Sequence, residues 1–242
     1  MPHKTAAQEC RIPSRDSMSK PDKFCYLCGK TESELTAPLT RDHIVADCFF
    51  PKPKPQNLLT VPCCVDCQKD NQMDEEYLRN NLSAISDVRG NPDALKSWKT
   101  THRSLKRRGA MYADFTNRMT PLTVGKNTFQ GLSFSQARTE KVIRKIVKGL
   151  HFHHTKQRLP ENAQIQVYYQ PENTLDDLLK NHMRFKGRYG DSFSYAAAYA
   201  QEGDSIWWLT FYKSILFIVV VGENLASDNQ SGDETPQPPQ QG

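Results

Sequence analysis

The chain has no apolar run long enough to cross a bilayer. Its most apolar stretch, SIWWLTFYKSILFIVVVG, is broken by Lys213 and Ser214 and falls short of the roughly 20 residues a spanning helix needs. The first twenty residues, MPHKTAAQECRIPSRDSMSK, lack the apolar core of a secretion leader. A soluble, cytoplasmic protein with no membrane partner is therefore expected. Acidic side chains are nearly missing from the middle of the chain. Residues 96–158 hold 15 Lys and Arg but only two acids, Asp114 and Glu140, so that third carries +13, while residues 1–95 carry −2 and residues 159–242 carry −6. Such a concentrated positive field suits a polyanion partner better than an evenly mixed surface does. No internal repeat is visible, and the overall composition, 37% hydrophobic and 24% charged, is ordinary for a soluble protein.

What is present starts with the cysteines. There are seven, and four fall into two Cys-x-x-Cys pairs, Cys25/Cys28 in CYLCGK and Cys64/Cys67 in CCVDCQK. Without a leader, this spacing reads as metal binding before disulfides. Four thiolates in two knuckles form a closed tetrahedral zinc site that pins distant segments together and contributes folding energy. Cys63 is an alternative to Cys64, but only Cys64 keeps the two-residue spacing; Cys10 and Cys48 are expected to be non-ligands.

The expected organisation is a disordered arm over 1–20, a zinc-supported unit over 21–82, a helical basic middle merging into a strand-rich α+β unit over 83–224, and a disordered tail over 225–242. The fold class is α+β. After the second knuckle, VDCQKDNQMDEEYLRNNL has helix-forming composition with Met73, Tyr77 and Leu78 as its apolar side, and PDALKSWKTTHRSLKRR places Leu95, Trp98 and Leu105 on a stripe. ARTEKVIRKIVKGL has the clearest helical period, with Val142, Ile143, Ile146, Val147 and Leu150 inward and Arg138, Lys141, Arg144, Lys145 and Lys148 mostly on the other side. AQIQVYYQ, SFSYAAAY, SIWWLTFY and ILFIVVVG read as strands of an antiparallel sheet, with a helix over NTLDDLLKNHM between the first two. His151, His153 and His154 cluster in HFHHTKQR; alternating on a strand, His151 and His153 could in principle bind a metal, but with no carboxylate or cysteine nearby the cluster is expected to form a basic, partly protonatable surface.

The elements CYLCG, LTRDHI, QNLLTVP and CVDCQ, spanning Phe24 to Arg79, resemble the HNH endonucleases, ββα-metal finger nucleases with a supporting four-cysteine zinc site. The remainder is similar to bacterial HNH proteins with an added C-terminal α+β region. The resemblance implies hydrolysis of phosphodiester bonds in duplex DNA, with His43 as general base and Asn57 as the loop brace that orients it. It implies Asp42 as a ligand to a catalytic Mg²⁺ or Mn²⁺, and a structural Zn²⁺ on Cys25, Cys28, Cys64 and Cys67. The position after the last cysteine, Asn or His in that family, is Gln68 here; Asn71, one helical turn on, is the other candidate ligand. An imidazole base and a hard carboxylate suit the chemistry, which needs a deprotonated water and a cation at the phosphate. Arg107, Arg108, Lys141, Arg144, Lys145 and Lys148 are the expected phosphate contacts. Cutting both strands with one finger per chain would call for a homodimer. The other reading of the same residues is a zinc-stabilised nucleic-acid-binding protein that does not cut.

Overall fold

The computed structural model describes residues 23–85, 88, 90–170, 183–200, 204–223 and 225. The expected N-terminal arm, the tail beyond 225 and all but Met183 of the helix expected over 173–183 lie outside the described residues.

Among the described residues the chain is mixed α+β, with four α-helices and three sheets. Strands β1 (Thr40–His43) and β2 (Thr60–Cys63) form an antiparallel hairpin in which Thr40 faces Cys63 and His43 faces Thr60. Helix α1 (Val65–Ala84) follows at once, capped by Cys64, whose sulfur accepts from the Cys67 N–H. Helix α2 (Pro92–Arg107) starts where its composition says it should. Pro92 occupies the first turn, and the Asn91 side chain accepts from the N–H groups of Asp93 and Ala94. The Asn91 amide also donates to the carbonyls of Asp191 and Tyr212, fastening α2 to the C-terminal sheet. Helix α3 (Gly109–Asn117) and a hairpin of β3 (Met119–Val124) and β4 (Asn127–Leu132) complete the middle.

Helix α4 (Gln136–Thr155) buries Val142, Ile143, Ile146, Val147 and Leu150, as its period predicts. Gly149 has a packing role: a Cβ there would sit 2.9 Å from Ile44 Cγ2, so glycine allows α4 to lie directly on the end of β1. Beyond α4, β5 (Gln164–Gln170), β6 (Phe185–Tyr189), β7 (Phe193–Tyr199), β8 (Ser205–Phe211) and β9 (Ile215–Gly222) form one antiparallel sheet in the order β5-β9-β8-β7-β6. One apolar cluster runs from Cys25 to Val221, taking in Phe49, Leu78, Ile146, Trp207 and Phe211. Phe49 and Phe211 rings lie 5.3 Å apart, so the connection after β1 packs on the C-terminal sheet. The expected boundary at 82/83 therefore does not divide the core.

Several local expectations are corrected. Leu95 and Met73 are exposed; α2 instead buries Ala94, Ser97, Thr101 and Leu105, while Trp98 is half-buried against Phe115. The hairpin β3–β4 and strand β6 were not legible, because their runs carry glycine, lysine and proline among the apolar residues. His151 and His153 lie on α4, not on a strand, and the histidine cluster does not form a charged surface. The His154 ring stacks on Phe185 at 4.1 Å and its Nε2 is 2.9 Å from the Tyr195 hydroxyl; His151 Nδ1 is 2.9 Å from the Tyr199 hydroxyl. Burial, with His153 and Lys156 alongside, pushes the His154 pKa down to about 4, and burial lowers His151 as well. These histidines are neutral packing groups between α4 and the sheet.

Candidate metal centre and the histidine beside it

The two knuckles come together because each is tied to β2. The Tyr26 N–H donates to the Pro62 carbonyl at 3.0 Å, and the first knuckle closes on itself through Gly29 N–H to Cys25 O at 2.9 Å. Gly29 takes φ +77°, a conformation that favours glycine, and the Arg158 guanidinium lies over the space where a Cβ would be. Arg158 also donates to the Leu27 carbonyl, so the start of the C-terminal half braces the knuckle. The second knuckle is the β2–α1 junction. The ligand atoms of Cys25, Cys28, Cys64 and Cys67 all lie within 4.8 Å of one another. Cys28 Sγ and Cys64 Sγ are 3.8 Å apart, close to the about 3.8 Å edge of a tetrahedron built on zinc–sulfur bonds of about 2.3 Å. The four cysteines are thus positioned to bind one metal ion, consistent with structural zinc. Cys64, not Cys63, completes the set. Cys63 points its sulfur toward Cys25 at 3.9 Å from the hairpin side, and Cys48 lies apart, its thiol pushed up to about 12 by burial.

Next to this centre the hairpin presents Asp42 and His43, which differ in environment. Adjacent strand residues point to opposite faces. Asp42 is 5% exposed and His43 half-exposed at the strand end. The Asp42 Oδ2 accepts from the Tyr26 hydroxyl at 2.9 Å and from Lys145 Nζ at 2.8 Å. The same ammonium reaches Glu75 Oε1 at 2.6 Å and the His43 carbonyl at 2.8 Å. All three Lys145 protons are therefore directed at oxygens, in a pocket where the residue is 3% exposed. Burial pulls the Lys145 pKa down, but the Glu75 and Asp42 carboxylates outweigh it and leave the pKa raised. Burial raises the Glu75 pKa against the opposing pull of Lys145.

This network corrects the expectation that Lys145 contacts phosphate: its ammonium is enclosed and committed. It also bears on the divalent cation that the resemblance implies. The oxygens of Asp42, Glu75 and the His43 carbonyl would suit Mg²⁺, but an ammonium already sits among them. Of the other candidate ligands, Gln68 has its oxygen engaged, while Asn71 is held through its nitrogen. Gln68 Oε1 accepts from the Thr40 hydroxyl at 3.2 Å, and the Asn71 amide donates back to the Cys67 carbonyl at 2.7 Å. The cleft beside them is lined by Asn71, Glu140, Lys141, Arg144, Lys145 and Lys148, and its carboxylate, Glu140, already accepts from Arg144 and Gln136. The residues in this arrangement do not fit Mg²⁺ or Mn²⁺.

Asn57 is exposed in the turn before β2, and no hydrogen bond joins it to His43 among the described residues. On α4, Lys141 pairs with Asp70 at 2.9 Å and Asp74 at 3.1 Å, and Arg144 pairs with Glu140 at 2.9 Å. Lys148 is half-buried, its pKa pulled down by burial and by the Arg158 and Arg144 charges. Arg108 pairs with Glu76 at 3.3 Å, while Arg107 is exposed at the end of α2. Much of the basic face of α4 is thus neutralised by the acids of α1. Glu75 and Tyr26 were missed by sequence reasoning, and so was the role of Lys145. A signal for Lys145 existed: it falls three residues after Val142 and four before Gly149, on the helix's buried side. No family model, no curated protein and no solved structure matches this chain.

Proposed function

We propose that the chain is a zinc-organised endonuclease of the HNH type that hydrolyses phosphodiester bonds in DNA, with His43 as general base. The observation that supports this reading is the way the end of β1 is held. Lys145 anchors the His43 carbonyl and the Asp42 carboxylate on the buried side, which turns the neighbouring imidazole toward solvent beside the four-cysteine frame. In the reaction, His43 takes a proton from water, the resulting hydroxide attacks phosphorus, and the bond to the departing sugar oxygen breaks as that oxygen takes up a proton. A base in this role is worth about 10²–10⁴-fold. Zinc-loaded protein incubated with supercoiled plasmid should nick it, and His43→Ala should lower the rate at least about 100-fold while leaving the melting curve in place. Equal nicking by His43→Ala, or none by wild type with Mg²⁺ or Mn²⁺ added, overturns it.

A second reading, a zinc-stabilised nucleic-acid-binding protein without cleavage, is favoured by one specific observation: the Lys145 ammonium fills the oxygen set a catalytic cation would use. It expects salt-dependent DNA binding with no nicking under either divalent ion.

A further inference from the structure

We infer that the nucleic-acid backbone docks not on α4 but in a second basic cleft, between the Pro-Lys-Pro-Lys-Pro connection after β1 and the outer face of α2. The inference rests on the nucleic-acid reading above and locates the surface it requires. The cleft encloses about 570 Å³ and is lined by Lys52, Lys54, Lys96, Lys99 and Arg103 over a floor that includes Phe50 and Thr100.

Three features distinguish it from the basic face of α4. The first is spacing. Lys96, Lys99 and Arg103 recur three and four residues apart on α2, so they stand in one row on one helix face. That row is about 10 Å long at 1.5 Å per residue, which matches the rise of about three nucleotides. The second is charge balance. Among the described residues, the only acid lining the cleft is Asp47, already paired with Lys54. Lys52, Lys96, Lys99 and Arg103 are exposed and form no ion pair among the described residues. On α4, by contrast, Arg138, Lys141 and Lys145 answer the acids Asp70, Asp74, Glu75 and Asp42. The third is presentation. Pro51, Pro53 and Pro55 restrict the backbone around Lys52 and Lys54, so little backbone order is lost when Lys52 meets a phosphate. The connection that carries them leaves β1 directly after His43, which places the cleft on the same structural unit as the proposed base.

A polyanion with regularly spaced phosphates is the ligand class this row fits. The decisive comparison uses zinc-loaded full-length protein and a fluorescently labelled 20-base-pair duplex, with anisotropy measured across a series of KCl concentrations. The triple variant Lys96→Gln, Lys99→Gln, Arg103→Gln should bind about 100-fold more weakly at 150 mM KCl. Its log–log salt slope should be shallower by up to about 2.7, at about 0.9 per phosphate contact. All three side chains are exposed, so the variant should melt like wild type. The α4 double variant Lys141→Gln, Arg144→Gln should change affinity much less. If wild type binds the duplex and the triple variant binds equally well, the α2 site is overturned while the nucleic-acid reading stands. An equal or greater loss in the α4 variant overturns the location in the same way. If wild type binds neither duplex nor single-stranded DNA at low salt, the nucleic-acid reading itself fails, and the site with it.

Discussion

Replacing Lys145 by methionine tests the buried network directly, since methionine keeps most of the volume and removes only the charge and its three donors. In the native state the ammonium satisfies Asp42 Oδ2, Glu75 Oε1 and the His43 carbonyl, all at 2.6–2.8 Å, in a site that excludes water. Without it, two carboxylates remain buried, with only the Tyr26 hydroxyl left of the donors described for Asp42. Breaking such a pair from one side costs about 3–5 kcal/mol, a large fraction of the about 5–15 kcal/mol that holds a domain folded. The sign of the pH dependence follows from Glu75. Its pKa is already raised by burial, so above its ordinary value the folded state holds this proton longer than the unfolded chain does. Stability from that proton is present at low pH and falls as pH rises through the raised value. Lys145 is what pulls Glu75 back down, so Lys145→Met should raise that value further. Urea denaturation of the zinc-loaded variant should therefore show its full loss near pH 7.5 and a smaller one near pH 5. Adding Glu75→Gln should recover part of it, because the two sites share one network. A loss below about 1 kcal/mol, or the same loss at both pH values, would refute the claim that Lys145 is the counter-ion of a closed carboxylate pair.

Two further outcomes follow. Cys28→Ser removes the most exposed sulfur of the cluster, so elemental analysis should fall from about one zinc per chain to a small fraction and the melting temperature should drop; full retention of zinc would point to Cys63 as the working ligand. His154 is held neutral in the fold, with a pKa near 4. The unfolded chain, whose histidine titrates at its ordinary value, therefore binds more protons between the two. Stability should fall as pH drops from about 6.5 toward 4, and His154→Gln should flatten that slope in denaturation curves taken across the range.

The parts of the molecule read correctly from sequence are those where one local pattern decides. Two Cys-x-x-Cys pairs identified the cluster, and the 3.6-residue period from Val142 to Leu150 identified the buried face of α4. Four of the five strands of the C-terminal sheet were expected from their β-branched and aromatic runs. What failed was information held between distant segments. Phe185–Tyr189 pairs with β7 at the sheet edge although it carries lysine, glycine and arginine, and Phe185 finds its partners in His154 of α4 and Tyr199 of β7. HFHHT extends α4 by another turn, against a strand reading of its alternating histidines, because Phe185, Tyr195 and Tyr199 give the rings partners on that side.

Lys145 shows why chemistry is harder to read than fold. By composition it is one of five cations in a basic helix and so belongs with the phosphate contacts. By period it belongs to the apolar face, and a charge at such a position needs a counter-charge from elsewhere. That counter-charge lies 70 residues away at Glu75 and 103 residues away at Asp42, and neither is marked in sequence as a partner of α4. The consequence reaches the proposed site. The helix that a linear reading assigns to DNA is the element that locks the hairpin, with Arg138, Lys141 and Lys145 answered by acids of α1. Lys96, Lys99 and Arg103 on α2 and Lys52 on the proline-rich connection form no ion pair among the described residues, and the sequence showed that row of cations without showing which acids would lie beside it.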